Sequence, residues 1–351
     1  MPKKDKVKYA KLIVNPGAGK PGDTATRIEL ATRCLQENGF TVDVALAKPK
    51  EEAIPIAKKA VKDGYRWIIA MGGDGTLEAV LSALVGSKAR LGIIPVGSQN
   101  NVAKSLGIPI DVEQACALIA TGNTRKLDLG QARMKKGRKH YFFELAAVGL
   151  VAAVYPDANK VSNGKLSHIK DAALTLIHQE TRPKVKLTLD DESKIEIETM
   201  LVVVSNTPIF GRNFLVAPNA SLQDGLLDIS VYPEFNKAEL LAYYARIMDE
   251  GRAEDDKVQR YRARKVEIKA DPKLDAMADG VVLGKGTVEI KSRPGALWVI
   301  TPPDGSAPAL QEGQADADLP APVSPVTEPT EPAESSDTTE PVEAAGEREE
   351  A

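Results

Sequence analysis

Three scarcities narrow the possibilities before any motif is considered. Only two of the 351 residues are cysteine, Cys34 and Cys116, far apart in the chain. That excludes a disulfide-dense scaffold and a cysteine zinc cluster, and it suggests a reducing compartment. Aromatic residues make up only 5%, and no zinc-finger pattern or stacking platform accompanies the basic residues, which argues against nucleic-acid binding. No apolar run is long. The longest nearly uncharged one, Leu145–Val154, falls well short of the roughly 20 residues that a bilayer-spanning helix needs. The lysine-rich Met1–Lys8 is not followed by a signal-type apolar region. The three histidines, His140, His168 and His178, lie on no metal-ligand spacing and read as surface or ordinary structural residues.

What is present is a 43% apolar fraction, enough for a sizeable core in about two domains, and an uneven charge. From Asp304 to Ala351 there are 13 Asp or Glu and one basic residue, Arg348. That segment carries −12, so the near-neutral total of −3 leaves +9 on residues 1–303. A basic body suits an anionic partner, such as a nucleotide or an acidic membrane surface. Residues 304–351 contain no Phe, Trp or Tyr and are rich in Pro, Glu, Ser and Ala. They cannot bury enough apolar area to offset chain entropy and are expected to form a disordered acidic tail.

The first third alternates between the two periodicities. Tyr9–Val14, Val42–Leu46, Trp67–Met71 and Leu91–Ile94 read as strands. Between them, apolar residues recur at helical spacing: Ile28, Ala31 and Leu35, with Asp23 as a cap; Ile54, Ala57 and Val61; and Leu77, Val80, Leu81, Leu84 and Val85 in a helix starting near Leu77. This βαβαβαβ order implies a parallel sheet covered by helices on both faces. After Asp128 the segments become short and alternating, as in Val185/Leu187/Leu189, Ile195/Ile197, Leu227/Ile229/Val231 and Val266/Ile268. Asp190-Asp191 and Asp224-Gly225 are turns between them. Helices are expected over Lys165–Gln179 and Lys237–Glu250, the second with Asn236 and Glu239 spaced as a capping box. A final strand, Ala296–Thr301, precedes Pro302-Pro303, where the fold should end.

Chemistry concentrates in three loops at strand C-termini. Gly72-Gly73-Asp74-Gly75-Thr76 joins a strand to a helix. Its glycines permit close approach of a ligand, and the helix N-terminus favours an anion, so a nucleotide phosphate is the natural occupant. There is no Gly-Lys-Ser/Thr and no G-x-G-x-x-G, so neither the Walker nor the dinucleotide pattern applies. The other two loops are Asn15-Pro16-Gly17-Ala18-Gly19-Lys20 and Pro95-Val96-Gly97-Ser98-Gln99-Asn100-Asn101. All three reach the sheet edge where open α/β folds bind ligands.

Together, Asn15-Pro16-Gly17-Ala18-Gly19, Gly72-Gly73-Asp74-Gly75-Thr76-Leu77 and Gly92-Ile93-Ile94-Pro95-Val96-Gly97-Ser98-Gln99-Asn100 resemble the diacylglycerol kinase catalytic-domain family. That family includes sphingosine and ceramide kinases and the bacterial soluble lipid kinases, whose spacing this chain shares. Lys126-Leu127-Asp128-Leu129-Gly130, Val216-Ala217-Pro218-Asn219-Ala220, Asp224-Gly225-Leu226-Leu227-Asp228 and Asp279-Gly280 extend the resemblance over about residues 8–303. It implies an α/β plus β architecture. A Rossmann-like, phosphofructokinase-like nucleotide domain would span residues 1–128. A β-sandwich lipid-kinase domain would span 129–303, its last strand a candidate to return to the first domain. Residues 304–351 would follow as the tail. The site would lie in the cleft between the domains. Asn15–Gly19 (Asn15, Pro16, Gly17, Ala18, Gly19), Gly72–Glu78 (Gly72, Gly73, Asp74, Gly75, Thr76, Leu77, Glu78) and Ser98 would contact ATP. Asp74 and Asp128 would join an acidic network with Mg²⁺ and water. Ser221, Asp224 and Leu226 match a structural Mg²⁺ site, the outer two through backbone carbonyls; without the resemblance Asp224-Gly225 is a hairpin turn.

Three departures stand out. Asn100-Asn101 replaces the frequent Asn-Asp, and Ala47 stands where the bacterial branch has an ATP-contacting Thr. The closing Asp-Gly-Glu, whose Glu is the family's proposed base, reads Asp279-Gly280-Val281. Were this segment one strand, Asp279 and Val281 would share a face. That makes Asp279 a candidate surrogate base, with a turn cap at Gly280 as the alternative. The resemblance implies a cytoplasmic ATP-dependent lipid kinase, phosphorylating a lipid such as diacylglycerol at the inner membrane face, with homodimerisation open. The alternative is a catalytically weak or inactive relative with a regulatory or lipid-binding role. An NAD-kinase-like enzyme shares Gly-Gly-Asp-Gly-Thr, but the second-domain signature argues against it. Lys135–Lys139 and Arg260–Lys265 are basic runs that suit either solvated hairpins or membrane contact. A chain ending at Pro303 is expected to keep its melting temperature and to bind anionic vesicles more tightly; thermal melting and vesicle co-sedimentation check this, and a large stability loss contradicts it.

Overall fold

Strands and helices alternate from the start of the chain. In the computed structural model residues 8–19, 23–48, 52–135, 137–152, 182–210, 214–250 and 255–303 are described. The first elements are β1 (Lys8–Val14), α1 (Thr24–Glu37), β2 (Phe40–Leu46), α2 (Ala53–Lys62), β3 (Trp67–Gly72), α3 (Asp74–Leu84) and β4 (Arg90–Pro95). The strands pair in parallel in the order β2-β1-β3-β4. Alternate residues of each strand point to opposite faces. Leu12, Ile69 and Ile94 therefore meet Ala31 and Leu35 of α1 on one side. Ile13, Ile68 and Ile93 meet Ala57 of α2 and Val80 of α3 on the other. Burial on both faces is why β3 and β4 read as continuous apolar runs, while β2, at the sheet edge, is mostly exposed.

Two boundaries differ from expectation. The third helix begins at Asp74 rather than near Leu77, because Gly73 in extended conformation takes the N-cap position. Asp23 occupies the N-cap of α1 but makes no capping bond, and its carboxylate lies instead 3.9 Å from the Arg27 guanidinium.

After α4 (Asn101–Ser105) and α5 (Val112–Thr121) the chain becomes β-rich. It forms β5 (Asn123–Met134), β6 (Lys139–Phe142), β7 (Leu145–Gly149), β8 (Lys184–Leu189), β9 (Ser193–Glu198), β10 (Leu201–Ser205), β11 (Ile209–Phe210), β12 (Phe214–Leu215) and β13 (Leu227–Val231). Then come α6 (Lys237–Glu250), β14 (Gln259–Ala263), β15 (Lys265–Asp271), β16 (Asp275–Ala278), β17 (Val281–Lys285) and β18 (Val288–Thr301). The capping box of α6 is formed: Asn236 N–H donates to Glu239 Oε2 at 2.8 Å, and Glu239 N–H to Asn236 Oδ1 at 2.9 Å.

β18 joins the two halves of the fold. Its C-terminal part pairs in parallel with β4, its N-terminal part pairs antiparallel with β15, and β5 runs antiparallel along it with a register shift between Arg293 and Leu297. A ten-stranded sheet results. The second sheet, β14-β13-β10-β7-β16-β17, packs over its distal half, with Val185, Leu187, Val266 and Ile268 facing Val148, Val202, Val204 and Ile229. On the other side of that sheet Tyr243 of α6 packs edge to face against Tyr232 and Phe235.

The basic run at Arg260–Lys265 is partly internal. Arg262 pairs with Asp224 and Asp228, and Lys265 with Asp191 and Glu289. His140 lies half-buried on β6. The helix expected over Lys165–Gln179, together with His168, His178 and the tail at 304–351, lies outside the described residues. No described helix is long and apolar enough to cross a membrane.

Candidate functional site

The loops after β1, β3 and β4 are tied to one another. Asn15 N–H donates to Met71 O at 3.0 Å, its Nδ2 donates to Thr76 Oγ1 at 3.0 Å, and its Oδ1 accepts from Gly17 N–H at 2.9 Å. Val96 N–H donates to Gly72 O at 3.0 Å. Gly73 and Gly97 touch so closely that a Cβ on Gly97 would lie 2.4 Å from the Gly73 Cα. Asn100, left-handed at φ +55°, accepts from Gly97 N–H through Oδ1 and donates to Gly97 O through Nδ2, both at 2.9 Å. Ala18 N–H donates to Asn15 O, and Pro16 O accepts from Thr24 Oγ1. Gly19 is left-handed with Val96 O beside it. Asn15–Gly19, Gly72–Glu78 and Ser98 thus lie at one sheet edge. Leu77 packs into the core, Glu78 is half-buried and Ser98 is exposed. The first N–H groups of α3 have no intrahelical acceptor and sit at the positive end of its dipole, as an anion site requires. Ala47 is wholly buried and donates its N–H to Val14 O, so no hydroxyl faces the loops from that position.

Three carboxylates from distant parts of the sequence lie near enough for their charges to act on one another, and one of them, Asp74, belongs to the second loop itself. Asp74, first residue of α3, accepts from Val102 N–H at 3.2 Å, and the neighbouring backbone of Asn101 and Asn100 favours its ionised form. It thereby holds the start of α4, and burial raises its carboxyl above the ordinary range. Of the two readings of Asp279, the turn at Gly280 is the one the structure has. The residue is left-handed at φ +39° and forms with Gly280 the turn between β16 and β17, so it does not share a strand face with Val281. Its carboxylate accepts from the backbone N–H groups of Phe143, Glu144 and Leu145, the last at 3.0 Å. Burial, with the Asp74 charge adding to it, pushes the Asp279 carboxyl up. The third is Glu144, between β6 and β7. Its N–H is held by Asp279, and its C=O accepts from Asn206 N–H at 2.8 Å. Its side chain is 7% exposed, and Oε1 has no hydrogen-bond partner. Burial first, then the Asp279 and Asp74 charges, push its carboxyl well up, while the Asn101 side chain favours its ionised form.

The other expected acidic residues are placed elsewhere. Asp128 has both oxygens taken, by Gly225 N–H and Gly295 N–H, each at 2.7 Å. It pins the Ser221–Leu226 loop and the irregularity of β18 onto β5. Asp224 accepts from Leu226 N–H at 2.9 Å and is paired with Arg262, and Ser221 Oγ accepts from Gln223 N–H at 3.3 Å. With a guanidinium on its carboxylate, this trio does not fit a divalent cation as arranged. Among the described residues no group of three or more His, Cys, Asp or Glu side chains is placed to hold a metal.

The catalytic-domain model of diacylglycerol kinases matches residues 9–132, and the model of the YegS C-terminal NAD kinase beta sandwich-like domain matches residues 145–301. A Pseudomonas syringae protein named "Probable lipid kinase YegS-like" is 30% identical over 285 residues, 78% of this chain and 90% of that one. This chain belongs to the diacylglycerol kinase catalytic-domain family. A Mycobacterium tuberculosis "Diacylglycerol kinase" is 29% identical over 296 residues, 84% of this chain and 95% of that one. A crystal structure of a Bacillus anthracis protein, provisionally described as a diacylglycerol kinase, superposes with a TM-score of 0.69 at 27% identity, covering 85% of this chain and 98% of that one. This family member therefore shares both sheets, and not only the loop motifs, with its relatives.

Motif reading missed Glu144 and Asn206, which lie beside the Asp279 turn, and it read Arg262 only as part of a basic run. Glu144 had a signal, a single carboxylate set between Tyr141-Phe142-Phe143 and Leu145–Val154. A buried charge in such a run needs a reason.

A carboxyl raised on folding stabilises the protein below its ordinary value, 4.5 for Glu144, and that contribution is lost as pH rises through the folded value. Glu144→Gln is therefore expected to leave the melting temperature unchanged at about pH 4.5 and to raise it at about pH 8. Thermal melts at the two pH values check this; a lower melting temperature at both would make Glu144 a structural anchor.

Proposed function

We propose that the chain is an ATP-dependent lipid kinase that transfers the γ-phosphate to a hydroxyl of a lipid such as diacylglycerol. The observation that supports this reading is that the interlocked glycine loops and a group of interacting carboxylates come together at Asp74. The loops present the N-terminus of α3, and carboxylates arrive from the second sheet. The family's relatives carry lipid-kinase names, and the reading extends that activity to this chain. The nucleotide domain would comprise residues 1–128 and the lipid-binding sandwich residues 129–303, with β18 shared between them.

In this reading Asn15–Gly19, Gly72–Glu78 and Ser98 line the ATP site, and the N–H groups of Gly73, Asp74 and Gly75 receive the terminal phosphates. Phosphoryl transfer needs positioning and charge neutralisation more than covalent help from the protein. The loops supply the first, and the α3 dipole part of the second. Mg²⁺ would supply the rest, neutralising the phosphates from the side of the Asp74 carboxylate. Hard oxygen donors of this kind suit that ion. Asp128 and Asp279 act as anchors of the cleft walls. The lipid would enter from an anionic inner membrane surface, drawn by the +9 body.

A second reading, a catalytically weak nucleotide-binding relative, is favoured by Val281 and Asn101, which replace two carboxylates of the family pattern. Labelled-ATP assays over a lipid panel separate the two. The kinase reading expects at least one lipid labelled by the parent and none by Asp74→Asn, with that variant still folded by circular dichroism. A parent that labels none overturns it. Gly97→Ala would wedge the loops apart at Gly73 and is expected to weaken ATP binding by about tenfold or more, roughly 1.4 kcal/mol, by calorimetry, without lowering the melting temperature of the sandwich.

A further inference from the structure

We propose that Glu144 is the catalytic base of this chain, taking the proton of the acceptor hydroxyl as it attacks the γ-phosphate. The inference deepens the lipid-kinase reading above and rests on it.

Three carboxylates reach this part of the cleft, and their hydrogen bonds divide the roles. Asp279 gives its oxygens to the backbone N–H groups of residues 143–145. Asp74 gives its carboxylate to the start of α4. Both are acceptors already engaged in holding the main chain. Glu144 is different: its Oε1 is buried and has no partner. An ionisable oxygen left unpaired inside a protein costs stability unless function uses it. The backbone that carries it is fixed on both sides, the N–H by Asp279 and the C=O by Asn206 and Thr207. Asn206 is itself held, its Nδ2 donating to Phe143 O at 2.9 Å and to Asp128 O at 3.2 Å. A base that must meet a proton within hydrogen-bond reach benefits from such rigidity.

The electrostatic neighbours agree with this assignment. Burial and the charges of Asp279 and Asp74 raise the proton affinity of Glu144, and the side chain of Asn101 steadies its ionised form. A carboxylate with raised basicity is better matched to a hydroxyl proton at neutral pH than an exposed one. The family pattern carries a carboxylate two residues after Asp279, where this chain has Val281. Asp279 binds the main chain of Glu144 directly. The carboxylate missing from the turn is thus replaced by one on the segment that the turn holds.

The step balances without any further reagent. The hydroxyl oxygen forms a bond to the γ-phosphorus while the bond to the β–γ bridging oxygen breaks. ADP departs with that electron pair, and the hydroxyl proton moves to Glu144 Oε1. Solvent removes the proton when the phosphorylated lipid leaves.

The test uses the full chain, labelled ATP and the lipid that the parent labels best, with Glu144→Gln and Glu144→Asp as variants. Gln is expected to lower kcat by about 10²-fold or more, with KM for ATP within about twofold and no loss of melting temperature at neutral pH. Asp, which keeps a carboxylate, is expected to retain more rate than Gln. A fluorinated acceptor analogue with a more acidic hydroxyl needs a base less, so the Gln deficit should shrink on it. Parental kcat in Glu144→Gln, equal rates for Gln and Asp, or the same deficit on both acceptors overturns the assignment while leaving the kinase reading intact. A parent that labels no lipid overturns the kinase reading itself, and this inference with it.

Discussion

The cleft depends on the grip of the Asp279 carboxylate on the backbone of residues 143–145. Hydrogen bonds from several N–H groups to one carboxylate are charge-assisted and strong, more so away from water. Here they cross more than a hundred residues of sequence. They fasten the β16–β17 turn to the β6–β7 connection, and so fix where Glu144 sits relative to α3. Asp279 adopts a left-handed conformation to do this. Such a conformation is costly for a residue with a Cβ and persists only where the surroundings enforce it.

A second carboxylate, Asp128, works on the same principle one layer away. Its two oxygens collect Gly225 N–H and Gly295 N–H. It lies on β5, the strand that runs beside β18 through the register shift at Arg293–Leu297. Since β18 pairs with β4 at one end and β15 at the other, the parallel sheet and the sandwich share one hydrogen-bonded ladder. The glycine loops and the carboxylates are thereby held across a cleft built on continuous sheet. That supports positioning catalysis better than a hinge of two separate bodies would.

Much of this was legible in the sequence, for identifiable reasons. β1, β3 and β4 are buried on both faces and read as apolar runs. The glycines at 72, 73 and 97 stand where backbones nearly touch, so they could be read as a close-approach motif. Other features were hidden because their partners are remote. The last strand reads as starting at Ala296, but β18 begins at Val288 and runs through Pro294-Gly295 with only a register shift against β5. Asp279 and Val281 look like neighbours on one strand face until the left-handed turn separates them. Asp224 reads by itself as part of a hairpin turn, and nothing local shows that Arg262, far along the chain, pairs with it. Glu144 was visible as a lone charge in an apolar stretch, but nothing local says that Asp279 and Asp74 converge on it.

The central claim is that phosphate and acceptor meet between the N-terminus of α3 and Glu144. A crystal structure with a non-hydrolysable ATP analogue and Mg²⁺ tests it most directly. The terminal phosphate is expected on the N–H groups of Gly73, Asp74 and Gly75, with Glu144 Oε1 facing the space in line with its γ-phosphorus. A nucleotide seated away from these loops, or a Glu144 carboxylate turned from that space onto a protein partner, would contradict it.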